Sequence, residues 1–213
     1  LKDQRNIRIG IAANTSTESA PRNHQVVVQD IEKELQARGY RTTVFDFNNP
    51  ERTLSKLRSK DVDLMINVAH GINNNEMLKP QAAALLEAMN IPFTGTDSLN
   101  IALARDKIRA KKLLTYHDIP TPAWDYAYTM TDTINDELTY PLFVKPADAD
   151  HSFGITNASV VKNKVELRKQ LSYVIEKLGR PAMVEEYIDG DEYSVSILGS
   201  NYNDLKVLPV ARA

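Results

Sequence analysis

Cysteine is absent from this chain of 213 residues. Its absence excludes disulfide bonds, thiolate nucleophiles and cysteine-ligated metals. The histidines, His24, His70, His117 and His151, show no spacing typical of a metal site. The sequence therefore assigns no metal ligand.

Long apolar runs and a strong net charge are also absent. No stretch approaches the roughly 20 apolar residues that span a bilayer. The 26 basic and 28 acidic residues leave a net charge of -2, so the chain has no overall positive charge that would attract nucleic acid. We expect neither a membrane nor a nucleic acid as partner. With 42% hydrophobic residues, the chain can bury the cores of one large or two small domains.

The first hundred residues alternate between predicted strands and helices. Apolar runs predict strands at 7–13, 42–46, 62–68 and 91–94, and helical periodicity predicts helices at 21–39, 50–60 and 78–89. The run at 62–68 is mostly apolar, as expected of a parallel strand covered on both faces. This series favours a doubly wound open sheet in an α/β domain.

The second half has a different order of elements. A helix is predicted at 98–116, ended by the prolines of 119–122, and strands follow at 142–145, 155–161, 182–188, 193–198 and 205–209 around a helix at 164–178. These hairpin-like strands indicate an α+β unit, with domains at 1–96 and 97–213. Residues 206–213 are typical of a strand, and we expect it to have no partner within this sequence. This pattern predicts that a further part of the protein, following residue 213, is missing from the sequence.

Lys145 ends an apolar strand and precedes Pro146 and the polar loop 148–154. An ammonium this close to buried structure needs an anionic partner. Nucleotide phosphates would serve, and so would a surface carboxylate reached by a snorkelling lysine. The loop N–H groups could cover phosphates, but the loop is not glycine-rich and also fits an ordinary hairpin connection. The chain has no Walker pattern, G-x-x-x-x-G-K-[ST].

Acids and a second lysine extend this interpretation. Glu185 and Glu192 flank a predicted turn, and carboxylates accept well from an adenine amino group or ribose hydroxyls. The alternative is that both are surface acids at strand ends. Lys107 is either a second phosphate ligand or part of a solvated helix face. Together with Lys145, these residues predict an ATP site built from sheets.

Glu18 and His70 follow the first and third predicted strands, at the edge where doubly wound sheets bind ligands. Glu18 also fits an acid favoured by a helix dipole. His70 alone is a weak sign of a ligand site.

The ordered motifs resemble the ATP-grasp superfamily, and within it D-alanine–D-alanine ligase and its near relatives. The resemblance rests on 105–114 (RDKIRAKKLL), 119–122 (IPTP), 140–146 (YPLFVKP), 185–188 (EEYI) with Glu192, 66–71 (INVAHG), 80–86 and 91–97 (IPFTGTD). It runs through most of the chain, and the order of the motifs is more specific than any one of them.

The resemblance implies a pre-ATP-grasp domain over 1–96 and the first part of an ATP-grasp domain over 97–213. It implies a cytoplasmic ligase of cell-wall peptidoglycan synthesis that uses ATP and Mg²⁺. One amino acid's carboxylate would attack the γ-phosphate, giving an acyl phosphate and ADP. The amine of a second amino acid would then displace phosphate. Homodimers occur among related ligases, but the sequence shows no interface signal.

The resemblance also assigns roles to residues. Its nucleotide-binding residues are Lys107, Lys145 and Ser152 at the phosphates, Glu185, Tyr187 and Ile188 at the adenine, and Glu192 at the ribose. Glu18, His70 and His151 would face the amino acid substrates, and Glu18 and Ser152 would take part in catalysis.

Three departures from the family pattern affect substrate and activity. The phosphate loop reads DHSFG at 150–154, so His151 replaces a serine of the substrate-site hydroxyl network. Residues 13–15 lack the usual paired glycines. The final portion of the family, which holds the Mg²⁺ ligands, has no counterpart, so we expect this chain alone to be inactive. A ligase for other amino acids, a non-catalytic nucleotide-binding module and a generic α/β binding protein remain alternatives.

Overall fold

The computed structural model describes residues 6–15, 22–59, 62–150, 152–199 and 204–212. The chain divides into two compact units, Leu1–Ala110 and Lys111–Ala213. This division falls later in the chain than the predicted boundary at 96/97, which stays a prediction. Within the described residues, no helix is both long and apolar enough to cross a membrane.

The first unit contains a parallel three-stranded sheet. Its strands are β1 (Arg8–Ala13), β2 (Arg41–Asp46) and β3 (Leu64–Asn67), in the order β2-β1-β3. These strands are followed in turn by the helices α1 (Arg22–Ala37), α2 (Pro50–Arg58) and α3 (Lys79–Ala88). The central strand is buried along nearly its whole length, as a strand covered on both faces must be. The predicted α/β fold of this half is confirmed.

Two separate apolar clusters account for the two covered faces. Ala12 packs with Leu57 of α2 and Leu86 of α3, whereas Ile11 packs with Val28 of α1. Successive strand residues point to opposite faces, so neighbours on β1 reach different helices. The alternation fixes β1 at the centre of the unit.

Two elements of this region differ from the prediction. Residues 91–94 form only an isolated parallel bridge between Met65 and Phe93. The single helix predicted over 98–116 is two helices, α4 (Ser98–Arg105) and α5 (Lys107–Tyr116). Asp106 leaves the helical region with φ -86 and ψ 91, and its carboxylate accepts from the Arg109 N–H at 3.0 Å. Asp106 therefore ends one helix and caps the next.

The second unit contains an antiparallel four-stranded sheet. Its strands are β4 (Trp124–Ala127), β5 (Leu142–Pro146), β6 (Val160–Val161) and β7 (Ala182–Glu186), in the order β4-β7-β5-β6. Helix α6 (Lys164–Ser172) and the π-helical segment Tyr173–Lys177 pack on it through a cluster that includes Leu142, Val144, Leu167, Val174 and Val184. The predicted α+β character is confirmed.

Several strand predictions in this unit were wrong. Strand β4 was missed, and the predicted strand 155–161 is a 3-10 turn at Asn157–Ser159 followed by β6. The predicted strand 193–198 is two strands, β8 (Tyr193–Ser194) and β9 (Ile197–Leu198).

The C-terminal residues are paired. Strand β10 (Lys206–Val207) pairs with β9, and β11 (Ala211–Arg212) pairs with β8, both antiparallel. The expectation of a partnerless strand at 206–213 was therefore wrong. The predicted strand 193–198 splits because its two ends pair with different partners.

Candidate nucleotide-binding site

The register of β5 and β7 brings a lysine and a glutamate together. Lys145 pairs with Met183, and Phe143 pairs with Glu185. Lys145 and Glu185 are thus diagonal neighbours on one face, within reach of long side chains. The Lys145 ammonium forms an ion pair with Oε1 of Glu185. The anionic partner expected for Lys145 is therefore this glutamate.

Helix α5 supplies a second lysine to the same carboxylate. The Lys111 Nζ lies 2.9 Å from Oε2 of Glu185. It also donates to the Thr121 hydroxyl and, at 3.3 Å, to the Pro122 carbonyl. The side chains of Lys111 and Glu185 are each 11% exposed, and that of Lys145 is 20% exposed. We call Lys111, Lys145 and Glu185 the Glu185 triad.

The triad is charged at neutral pH. Burial raises the pKa of Glu185, but hydrogen bonds and charges from Lys145 and Lys111 outweigh burial and hold that pKa below its ordinary value of 4.5. With two ammonium groups and one carboxylate, the triad carries a net positive charge. A largely buried site with surplus positive charge suits an anion such as a phosphate.

Aromatic rings lie beside the triad. The Lys145 Nζ is 5.4 Å from the centroid of the Phe143 ring, and the Phe143 and Tyr187 rings are 6.4 Å apart. Tyr187 and Ile188 are both exposed. Flat apolar surface next to a carboxylate is suited to a base that carries an amino group. The structure therefore places Glu185 and Tyr187 on either side of Phe143, whereas no described contact joins Ile188 to them.

The predicted phosphate loop is held at its flanks. Arg180 pairs with Asp148 at 3.2 Å, and its guanidinium lies 6.0 Å from the Phe153 ring. Gly154 has φ +72, and a Cβ there would lie 2.5 Å from Leu178 Cδ1. Ser152 is exposed, with φ 57. Asp148, which would repel a phosphate if it faced one, is thus engaged by an arginine.

The remaining predicted residues are not brought to the triad by any described contact. Lys107 is the first residue of α5, half-buried and part of the first unit. Glu192 is exposed and lies just before β8. Glu18 and His151 lie outside the described residues. The roles of these four stay predictions.

In the first unit, asparagines join the carboxyl ends of the three strands. The buried Asn14 donates to Asn48 Oδ1 at 2.7 Å and to the Gly71 carbonyl at 3.2 Å. Its own Oδ1 accepts from the His70 N–H at 2.7 Å. His70 therefore lies at the predicted sheet edge. The Asn48 Nδ2 is buried there and has no hydrogen-bond partner among the described residues.

Lys111 and Asn14 were not among the predicted site residues. Lys111 follows Lys107 by one helical turn, a spacing that places both on one helix face. That signal is visible in the sequence but is equally typical of a solvated face. Across the described ranges, no group of three or more His, Cys, Asp or Glu residues could hold a metal ion.

Residues 113–213 match the family described as "D-ala D-ala ligase C-terminus". Among curated proteins, the D-alanine--D-alanine ligase of Marinomonas sp. is 32% identical over 171 residues, covering 77% of this chain and 51% of that protein. The chain spans about half the length of the curated relatives it matches.

Solved structures show the same fold. The D-alanine--D-alanine ligase of Bacillus anthracis complexed with ATP is 24% identical, with a TM-score of 0.66 over 95% of this chain and 70% of that one. The VanG D-Ala:D-Ser ligase of Enterococcus faecalis is 24% identical, with a TM-score of 0.68 over 97% of this chain and 69% of that one. This chain therefore shares its fold with these two solved ligases.

Proposed function

We propose that the protein is an ATP-dependent carboxylate–amine ligase, because residues 113–213 match the D-ala D-ala ligase C-terminal family and 77% of the chain aligns with a D-alanine--D-alanine ligase. It joins two amino acids through an acyl phosphate and releases ADP and phosphate. The observation that carries the proposal is the Glu185 triad, which places a lysine suited to phosphate beside a carboxylate suited to adenine.

The described residues fit a nucleotide. Lys145 would hold phosphate oxygens, and Glu185 would accept from the adenine amino group. Tyr187 and Ile188 would lie along the base, and Glu192 would accept from the ribose. Support comes from the relative of known structure that is complexed with ATP.

ATP supplies the phosphoryl group that activates a carboxylate toward an amine. The protein's own contribution is positioning and charge stabilisation, because phosphoryl transfer requires little covalent work from side chains. Lys145, together with Lys107 by resemblance, would neutralise charge on the phosphates. Ser152 and its loop would cover them and exclude water. Mg²⁺ stays an expectation from the family, and no described residue is assigned to it.

The identity of the amino acids is a separate proposal. D-alanine is the substrate suggested by the relatives, with Glu18, His70 and His151 facing it. A ligase for other amino acids is a second candidate, because residues 13–15 lack the paired glycines usual in the family. At this edge, Asn14 donates to Asn48 Oδ1, and the Asn48 amide donor has no partner among the described residues. A VanG ligase of similar fold is named for a D-Ala:D-Ser pair.

A coupled assay of phosphate release tests the ligase proposal. The longest natural form of the protein would be given ATP, Mg²⁺ and pairs of D- or L-amino acids, with Lys145→Ala as the matched variant. We expect release that requires both amino acids and falls strongly in Lys145→Ala. Nucleotide binding without release for any pair, in the longest natural form of the protein, would instead favour a non-catalytic nucleotide-binding module.

A further inference from the structure

Nucleotide binding, as proposed above, requires a change of partners within the Glu185 triad. In the structure, Lys145 is paired with Glu185. In the proposed complex, Lys145 contacts phosphate and Glu185 contacts the adenine amino group. Lys145 must therefore release Oε1 of Glu185, and this inference rests on the proposed function.

Lys111 can keep its contact with Glu185 when Lys145 moves to phosphate. An ammonium has three N–H donors, and Lys111 has three acceptors: Glu185 Oε2 at 2.9 Å, the Thr121 hydroxyl, and the Pro122 carbonyl at 3.3 Å. Its side chain is more buried than that of Lys145. With its donors committed inside the protein, Lys111 has none to offer a phosphate. Its contact with Glu185 is a fixed one.

The other groups around Glu185 do not replace Lys111. Strand β4 pairs Trp124 with Glu185, and the Trp124 indole donates to Thr115 of α5. Asp125, the next residue on β4, pairs with Val184 and accepts from the Asn135 N–H at 2.7 Å. Phe143, opposite Glu185 on β5, is uncharged. Once Lys145 turns to phosphate, Lys111 is the cation, among the described residues, that still contacts Glu185.

The protonation of Glu185 decides which base it can accept. An ionised carboxylate only accepts hydrogen bonds, whereas a protonated one also donates. A buried carboxylate without a cation favours the neutral form. The 6-amino group of adenine donates, and the 6-oxo group of hypoxanthine accepts.

We propose that Lys111 is a positioning residue that keeps Glu185 oriented and ionised in the nucleotide complex, and so sets the preference for 6-amino over 6-oxo purine nucleotides. Lys111 acts through Glu185 and touches neither base nor phosphate. Lys145 and Lys111, though both paired with the same carboxylate, thus have separate tasks.

Calorimetric titration with ADP and with inosine diphosphate tests this division. The unaltered protein should prefer ADP by roughly tenfold or more, the scale of a hydrogen bond to a charged group. Lys111→Met and Lys111→Gln should lose most of that preference, while Lys111→Arg should retain most of it. Lys112→Met is the matched control, because Lys112 is an exposed neighbour on α5 that contacts Tyr126 rather than Glu185.

Inorganic triphosphate separates positioning from phosphate binding. Its affinity should be unchanged in Lys111→Met and Lys111→Gln, since Lys111 has no donor for phosphate. A neutral variant that folds, by circular dichroism, yet keeps the full ADP preference would overturn the inference. So would an equal loss of ADP and triphosphate affinity, which would make Lys111 a phosphate ligand. If the unaltered protein binds neither nucleotide, the proposed function falls as well.

Discussion

Replacing Glu185 by glutamine should destabilise the second unit strongly. The change removes the negative charge and leaves the ammonium groups of Lys111 and Lys145 facing each other without a counter-ion. Removing one partner of a buried ion pair costs about 3–5 kcal/mol. Because Lys145 is 20% exposed and can turn its ammonium to solvent, we expect the lower end, about 3 kcal/mol.

Urea denaturation followed by tryptophan fluorescence measures this loss. The chain contains one tryptophan, and Trp124 pairs directly with Glu185 in the sheet. For a unit of this size the dependence on urea is about 1–2 kcal/mol per molar. The midpoint of Glu185→Gln should therefore fall by about 2 M.

Two further variants make this test specific. Asp136→Asn removes the partner of Lys164 in an exposed ion pair and should leave the midpoint unchanged. Adding Lys111→Met to Glu185→Gln should recover part of the loss, because it removes an unpaired ammonium. Coincident midpoints for Glu185→Gln and the unaltered protein would refute the existence of the triad in solution.

Four other predictions follow from individual residues. Folding lowers the pKa of Glu185, so the ionised carboxylate stabilises the fold at pH values above its ordinary pKa of 4.5. That stabilisation is lost as the pH falls through the lower pKa of the folded state. Below pH 4.5, the thermal midpoint of Glu185→Gln should therefore depend less on pH than that of the unaltered protein. Lys145→Ala should weaken ADP binding by about 1.5–3 kcal/mol, and unchanged affinity in calorimetry would rule out its phosphate role. Glu192→Ala should weaken ATP but not inorganic triphosphate, whereas equal losses would refute the ribose assignment. Gly71→Ala should lower the unfolding free energy by at least about 1–3 kcal/mol, because Gly71 has φ +153 and a Cβ there would lie 2.0 Å from the Asn75 carbonyl oxygen. Gly39→Ala is the control and should cost less, because a Cβ at Gly39 would have no described atom within 4 Å.

The alternating elements of the first unit could be predicted because their signals are local. Strand β1 is apolar on both faces, and the glycine after α1 marks a helix end. The break at Asp106 was missed because the helical periodicity continues across it, and a single cap decides it. Strand β4 was missed because its short polar-apolar pattern gains stability only from pairing with β7.

The sequence indicated residues of the candidate site by type but not by contact. Lys145 and Glu185 were identified from their places on strands, and the register that pairs them cannot be read from either segment alone. Lys111 was visible one turn after Lys107, yet the buried carboxylate that distinguishes it from a surface lysine lies far away in sequence. The asparagine network depends on three strand ends that meet only in the folded sheet.

Calorimetric titration of the 213-residue chain with ADP, with and without Mg²⁺, tests the nucleotide site most directly. We predict micromolar affinity, about −8 kcal/mol, since Lys145, Glu185 and the aromatic surface already lie side by side and only the Lys145–Glu185 contact must be exchanged. The same titration of Lys145→Ala should show the weaker binding given above. The absence of binding at millimolar ADP, under both conditions, would contradict a nucleotide site at the Glu185 triad.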